Sequence, residues 1–175
     1  MILLGTAING MAIVAGGVLG MLVGRLMPER LRTSLMSALA LVVIGIAVPG
    51  LMKDVNSLVP ILSMVVGTII GELLDIETAM NRLGEMLQRR FSGAPITEGF
   101  VTGSLVFAVG AMAVMGALES GLQHQHTILI SKSVIDGVSA LVFASTLGLG
   151  VALSAITVVV LEGSRTLLAS VIAPY

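Results

Sequence analysis

The chain has 175 residues, of which 56% are hydrophobic and 11% charged, against about 45–50% apolar and about 25% charged in a soluble domain. That leaves too little polar surface to cover a water-soluble globule, and a net charge of −1 excludes the basic field that nucleic acid requires. The 3% aromatic content without Trp removes base-stacking platforms, and the absence of Cys excludes disulfides, thiolate metal sites and a Cys nucleophile.

The first apolar run, residues 2–24, is long enough to cross a bilayer and carries Asn9 as its one strongly polar side chain. It has no basic start and no small-residue cleavage site, so it is expected to be a retained span rather than a signal peptide. Arg25, Pro28, Glu29 and Arg30 end it. A second run covers 33–52, where Pro49 and Gly50 precede Lys53 and Asp54, and a third covers 57–74. Residues 75–91 differ. Ile76, Met80, Leu83 and Leu87 recur at helical spacing, with Glu77, Asn81, Glu85, Gln88 and Arg89 on other faces, the pattern of an amphipathic helix lying at the membrane surface.

The fourth run covers 97–118. A polar stretch with Glu119, His124, His126 and Lys132 follows, expected outside the membrane. The last long run, 137–161, can be one span bounded by Asp136 and Glu162, or two that turn at Gly148-Leu149-Gly150. One span, 136–161, is the preferred reading. About 25 residues cover the ~30 Å core with some tilt. Two spans would turn on residues without polar side chains and bring Glu162 and Arg165 near mid-bilayer, at roughly 2.5–3.5 kcal/mol each.

The expected architecture is therefore all-α: one transmembrane domain over 1–175, a polytopic bundle of about five spans plus the interfacial helix. Arg25, Arg30 and Arg32 follow the first span, and Arg82, Arg89 and Arg90 the third. The positive-inside rule puts both groups in the cytoplasm and the N-terminus outside. The apolar stretch 166–173 is too short to span, and the ending reads as an interruption with a C-terminal part missing.

Aligning Gly10 with Gly103 also matches Ala15 with Ala108 and Gly17 with Gly110. An inverted-topology repeat, as in many secondary transporters, is one reading of this; chance likeness between two Gly/Ala-rich helices is the other. Gly16, Gly20 and Gly24 form small-xxx-small steps, as do Gly67 with Gly71 and Gly99 with Gly103. These are expected to pack helices within the bundle, with a homo-oligomer face as the alternative.

Polar groups in lipid need a partner or an aqueous cavity. Asn9, Thr102, Ser104, Asp136, Ser139, Ser145 and Thr146 are the candidates for an ion or substrate pathway, with Asp136 binding a proton or cation. Two of them also have a plainer reading: Asn9 as an interhelical hydrogen bond, and Asp136 as a partner of Lys132 four residues earlier on the same face. Glu72 and Glu98 suit interfacial anchoring or a pair with Arg82 or Arg90. His124 and His126 lack a third placed ligand, so no metal site is expected. No catalytic, phosphate-binding or dinucleotide motif occurs, so neither an enzyme nor a cofactor is expected.

Three blocks together carry a family resemblance: Gly71-Glu72-Leu73-Leu74-Asp75-Ile76-Glu77; Glu98-Gly99-Phe100-Val101-Thr102 leading to Val109-Gly110-Ala111-Met112-Ala113; and Lys132-Ser133 with Asp136-Gly137 leading to Phe143-Ala144-Ser145-Thr146-Leu147-Gly148. The chain resembles the YqgA/YdfK-like bacterial inner-membrane proteins, a family of unknown function (domain family 554) sometimes labelled transporters. The resemblance implies a bacterial cytoplasmic-membrane location and members longer than this chain, and it supplies no established substrate. Glu162-Gly163 stands where Gln-Gly is expected, which puts a role for Glu162 in doubt. The expected function is a transporter or channel for an ion or small polar solute. The alternative is a non-transporting adaptor or sensor working through the amphipathic helix. The bilayer is the expected partner, with nucleic acid excluded.

Overall fold

A computed structural model describes residues 2–24, 26–51, 58–90 and 96–172, and every regular element among them is an α-helix. In chain order these are α1 (Leu4–Val23), α2 (Glu29–Leu51), α3 (Leu58–Leu74), α4 (Ile76–Arg90), α5 (Thr97–Ala108), α6 (Ala111–Gln123), α7 (Thr127–Leu147) and α8 (Leu149–Ile172). Among the described residues, four stretches are long and apolar enough to cross a membrane: α1, Glu29–Val48 of α2, α7 and α8. The pair α5 and α6 makes a fifth, bent by 57°. Large apolar side chains point outward along them, including Leu22, Leu41, Ile44, Val134, Val160 and Leu168, and along the shorter apolar helix α3, including Leu62, Ile69 and Leu73. Hydrocarbon is the solvent in which such a surface costs nothing.

The bundle is organised by glycine. A methyl group on Gly16 would fall on the backbone of Gly137, one on Gly20 on that of Leu141, and one on Gly24 on that of Ser145. The glycine face of α1 therefore lies directly on the backbone of α7, and the rising numbers on both sides show that the two helices run parallel. Gly17 meets Ala152 and Gly10 meets Val159, so α8 runs antiparallel to α1. Gly99 meets Leu147 and Val151, and Gly103 meets Ser154, so α5 runs with α8. Such close backbone approach is what makes small residues favourable between membrane helices. Ile13, Phe107, Ala140, Ala144, Val151 and Val158 fill the centre.

Gly67 and Gly71 behave otherwise. A methyl group on either would meet nothing within 4 Å, so the packing expected at these two positions is not made among the described residues. The proposed equivalence of Gly17 with Gly110 also fails to match in environment, because Gly110 has open space around it at the bend while Gly17 lies against Ala152.

The single span expected over 136–161 is replaced by two helices, α7 and α8, that turn at Gly148. Gly148 has φ +70° and ψ −148°, a region open essentially to glycine alone, so backbone geometry makes this turn without a polar side chain. The fourth run is likewise not one straight helix. Val109 and Gly110 are extended between α5 and α6. The polar stretch after it is mostly helical: α6 continues to Gln123 and α7 begins at Thr127. Glu119 accepts the Ile128 N–H at 2.9 Å and so tethers the start of α7.

The amphipathic segment forms α4. Asp75, at φ 45°, turns the chain into it and accepts the Thr78 N–H at 3.4 Å. Met80 and Leu87 pack on Ile96, Phe100 and Val101, while Arg82, Glu85, Met86 and Arg89 stay exposed.

A buried ionic cluster as the candidate functional site

Asp136 lies nine residues into α7, about 14 Å along a helix that rises 1.5 Å per residue. That depth is close to the middle of the helix. Its carboxylate accepts a hydrogen bond from Lys132 Nζ, one turn earlier, and from Asn9 Nδ2 on α1 at 3.1 Å. Glu162 on α8 completes the group. Its Oε1 lies 3.2 Å from Lys132 Nζ, and its two oxygens lie 3.0 and 3.1 Å from Asn9 Nδ2. Three helices thus converge on one ammonium, two carboxylates and one amide. Exposure is 5% for Lys132, 6% for Asp136 and zero for Asn9 and Glu162.

The bend between α5 and α6 belongs to this site. A helix break strands the carbonyls before it, because the N–H groups that would bond them no longer follow in register. Lys132 Nζ donates to the Phe107 carbonyl at 2.8 Å, and Arg165 donates to the Ala108 carbonyl at 3.0 Å. Two cations from α7 and α8 therefore satisfy the end of α5, where the helix dipole is negative. Lys132 ties the broken helix directly to both carboxylates.

This placement overturns the assignment of Lys132, Asp136 and Glu162 to the interfaces. An isolated charge is expensive in lipid, but these charges face one another inside the bundle. Glu162, discounted on its sequence context, is the most enclosed acid of the cluster.

The other residues expected on a pathway are spread out. Ser104 is buried and donates to Thr157 at 3.1 Å. Thr102 is half-buried, and Ser139 is buried one turn after Asp136. Ser145 and Thr146 lie near the far end of α7, where Arg32 reaches the Thr146 hydroxyl at 3.4 Å and the Gly24 carbonyl at 2.7 Å. Thr146, but not Ser145, borders a cleft of about 590 Å³ between α2 and α7, lined also by Glu29, Thr33, Ser37 and Phe143. Phe143 packs on Phe107 with ring centroids 6.1 Å apart. An aromatic pair thus stands between the cleft and the carbonyl that holds Lys132.

The histidines do not converge. His126 Nδ1 is 2.8 Å from the Ser120 hydroxyl, and His124 takes a left-handed conformation (φ 55°) at the end of α6. Among the described residues no three His, Cys, Asp or Glu side chains gather as a metal site would need.

The family model described as "Protein of unknown function (DUF554)" matches residues 4–175. The chain belongs to the DUF554 family. It is 28% identical over 171 residues to the "Uncharacterized membrane protein YdfK" of Bacillus subtilis (strain 168), covering 95% of this chain and 73% of the relative. It is 30% identical over 178 residues to the "Uncharacterized protein YqgA" of Escherichia coli (strain K12), covering 98% of this chain and 76% of the relative. No solved structure matches. This DUF554 chain is a membrane protein, and its cluster draws on α1, α7 and α8 together with the end of α5.

Sequence reasoning reached Asn9, Lys132 and Asp136 but missed Glu162, Arg165 and the Phe107 carbonyl. The available signal was charge arithmetic: Lys132 and Asp136 balance each other at one turn's spacing, and Glu162 and Arg165 lie three apart on the next apolar helix.

Proposed function

We propose that this DUF554 protein is a membrane transporter for an ion or small polar solute, with Asp136 and Glu162 as its ion-binding groups and Asn9 and Lys132 as the groups that hold them. The observation that carries this reading is the closed Asn9–Lys132–Asp136–Glu162 network deep inside the bundle. Ionisable groups at that depth are costly and mark ion pathways, relays and binding sites in membrane proteins. The broken helix beside them supports the same reading, since transporter sites commonly use half-helix ends. We place the protein in the bacterial cytoplasmic membrane with its N-terminus outside. α1 and α7 then run inward, and α5–α6 and α8 run outward, in keeping with their packing directions. The cleft at Arg32 and Thr146 would open toward the cytoplasm, with Phe107 and Phe143 between it and the cluster.

The test is reconstitution of the complete protein into liposomes, with proton and alkali-cation flux followed by entrapped dyes. Asp136→Asn and Glu162→Gln are expected to abolish flux. Normal flux in both variants would remove the cluster from the pathway.

A second reading has its own support. The cluster's charged groups are paired internally, and its residues line neither the α2–α7 cleft nor the apolar cleft beneath α4, as in a dry bundle serving an adaptor or sensor. The exposed α4 face with Arg82 and Arg89 would then be the working surface. In that case flux is absent from the intact protein, and charge removal at Arg89 and Arg90 abolishes function.

A further inference from the structure

The cleft between α2 and α7 changes character along its length. Its charged lining residues, Glu29 and Arg32, stand at the end where α2 begins, with Thr146 beside them. Beyond them the walls are apolar, with Met36, Ala40 and Phe143, and Ser37 is the one polar side chain there. Arg32, Met36 and Ala40 follow one another turn by turn on α2, so Ala40 lies about 12 Å deeper along the helix than Arg32. One end of the groove thus suits a charged head and the rest a hydrocarbon tail. We propose that it binds one anionic phospholipid, with the phosphate on Arg32 and an acyl chain along Met36 and Ala40 against Phe143. On the orientation proposed above, Arg32 stands at the level of the cytoplasmic headgroups; the site itself depends on neither that orientation nor transport.

The Arg32 guanidinium is poorly matched within the chain. It makes one close bond, from Nη2 to the Gly24 carbonyl at 2.7 Å. Its contacts with Glu29 Oε2, Thr146 Oγ1 and the Ser145 carbonyl stand at 3.4–3.5 Å, beyond ordinary hydrogen-bond length. Its Nε–H is buried and has no partner among the described residues. The carboxylate nearest to it belongs to Glu29, whose side chain is 82% exposed and so holds it weakly. A guanidinium fork matches a phosphate with two parallel charge-assisted bonds, which are shorter and stronger than these. Charge points the same way. Arg30 is exposed two residues before Arg32, so Glu29, Arg30 and Arg32 together carry one excess positive charge. A phospholipid of net charge −1 balances it, whereas a zwitterionic one does not.

The rest of the groove selects a lipid over a small soluble anion. No residue of Glu29–Val48 is buried, so α2 stands off the bundle and leaves a wedge of about 590 Å³ beside α7. Empty space of that size forfeits dispersion contacts on both walls. Within a bilayer, an acyl chain is the filler at hand, and a free phosphate or small carboxylate would occupy only the Arg32 end. Basic pockets between membrane helices on the cytoplasmic side are a known way of holding anionic headgroups. The apolar cleft beneath α4 lacks this feature, because no charged side chain lines it.

The test exploits the absence of Trp from the chain. Met36→Trp places a single fluorophore in the groove, and Val42→Trp places one on another face of α2. Each variant of the complete protein is reconstituted in vesicles of phosphatidylcholine with increasing phosphatidylglycerol, one lipid or the other carrying brominated chains that quench Trp on contact. At Met36→Trp, phosphatidylglycerol should bind about fivefold or more tightly than phosphatidylcholine; at Val42→Trp the two should bind alike. In the Met36→Trp background, Arg32→Gln should abolish the preference. Glu29→Gln, which frees the guanidinium of its competitor, should strengthen it. Arg89→Gln, an equal loss of charge on α4, should leave it unchanged, and inorganic phosphate should not displace the lipid. Native mass spectrometry of the unmodified chain, which should retain phosphatidylglycerol over phosphatidylcholine, keeps the test open if a variant fails to fold. Equal binding of the two lipids at Met36→Trp would overturn the proposal, as would an equal effect of Arg89→Gln and Arg32→Gln. Displacement by inorganic phosphate would make this a site for soluble anions instead, and quenching by neither lipid would mean that another protein surface, such as a second copy, covers the groove. The presence or absence of ion flux bears on the transporter reading alone.

Discussion

Replacing Lys132 and replacing Glu162 should have unequal effects on stability, and the inequality follows from counting charges in contact. Lys132→Met removes the ammonium that touches both buried carboxylates and also frees the Phe107 carbonyl. Breaking a buried pair in this way costs about 3–5 kcal/mol, because the remaining charges lose their counter-ion. Glu162→Gln is nearly isosteric and leaves Lys132 matched with Asp136, with Asn9 still in place. Its cost is that of altered hydrogen bonds, about 1–3 kcal/mol. The double variant leaves one uncompensated carboxylate instead of two, so its cost should fall short of the sum by about 0.5–3 kcal/mol. The assay is SDS-induced unfolding of detergent-solubilised protein followed by far-ultraviolet circular dichroism, with choline as the sole monovalent cation. Lowering the pH protonates carboxylates, which relieves Lys132→Met and deprives the unmodified cluster of attraction. The stability gap between the two should therefore narrow toward acid. If Lys132→Met is no less stable than Glu162→Gln at neutral pH, or if the gap is insensitive to pH, the cluster is not held by these charges.

Three further outcomes can be measured in the same preparation or in cells. Gly16→Ala and Gly20→Ala force a methyl group onto the α7 backbone and should cost about 1–3 kcal/mol by overpacking; Gly67→Ala meets nothing and should gain about 0.5–1 kcal/mol from helix propensity. Gly148→Ala should cost about 1–3 kcal/mol through its positive φ alone, whereas Gly110→Ala, at an extended position with open space, should be close to neutral by the same unfolding assay. Because the chain has no cysteine, single replacements report topology cleanly. Gln125→Cys should react with an impermeant maleimide in intact bacteria, and Arg30→Cys only after permeabilisation; the opposite pattern would reverse the orientation proposed here.

The parts of the fold legible in the sequence are those set by one helix and its solvent. α1 is an uninterrupted apolar run, α4 announces its two faces through Met80, Leu83 and Leu87 against Glu85 and Arg89, and the glycines at 16, 20 and 24 foretell a close neighbour. Two features escaped because they depend on contacts between helices. The bend after α5 carries no proline and little polarity, and its stranded carbonyls are satisfied by Lys132 and Arg165 from elsewhere in the chain. The turn at Gly148 needs no polar side chain because glycine reaches that conformation unaided.

The error over 136–161 and the omission of Glu162 have one cause. An insertion cost assigned residue by residue treats Glu162 and Arg165 as penalties, so the lowest-cost reading moves them to the interfaces. Lys132 and Asn9 offset the first penalty and the Ala108 carbonyl the second, and neither partner is close in sequence. Placing a helix turn at Gly148 brings Glu162 level with Asp136; placing it elsewhere would leave Lys132 with one carboxylate and Asn9 with half its acceptors. Turn and cluster therefore require each other. A charged pair that makes a span look too costly is, in a Gly-rich bundle, a reason to search the other helices for its partners before rejecting the span.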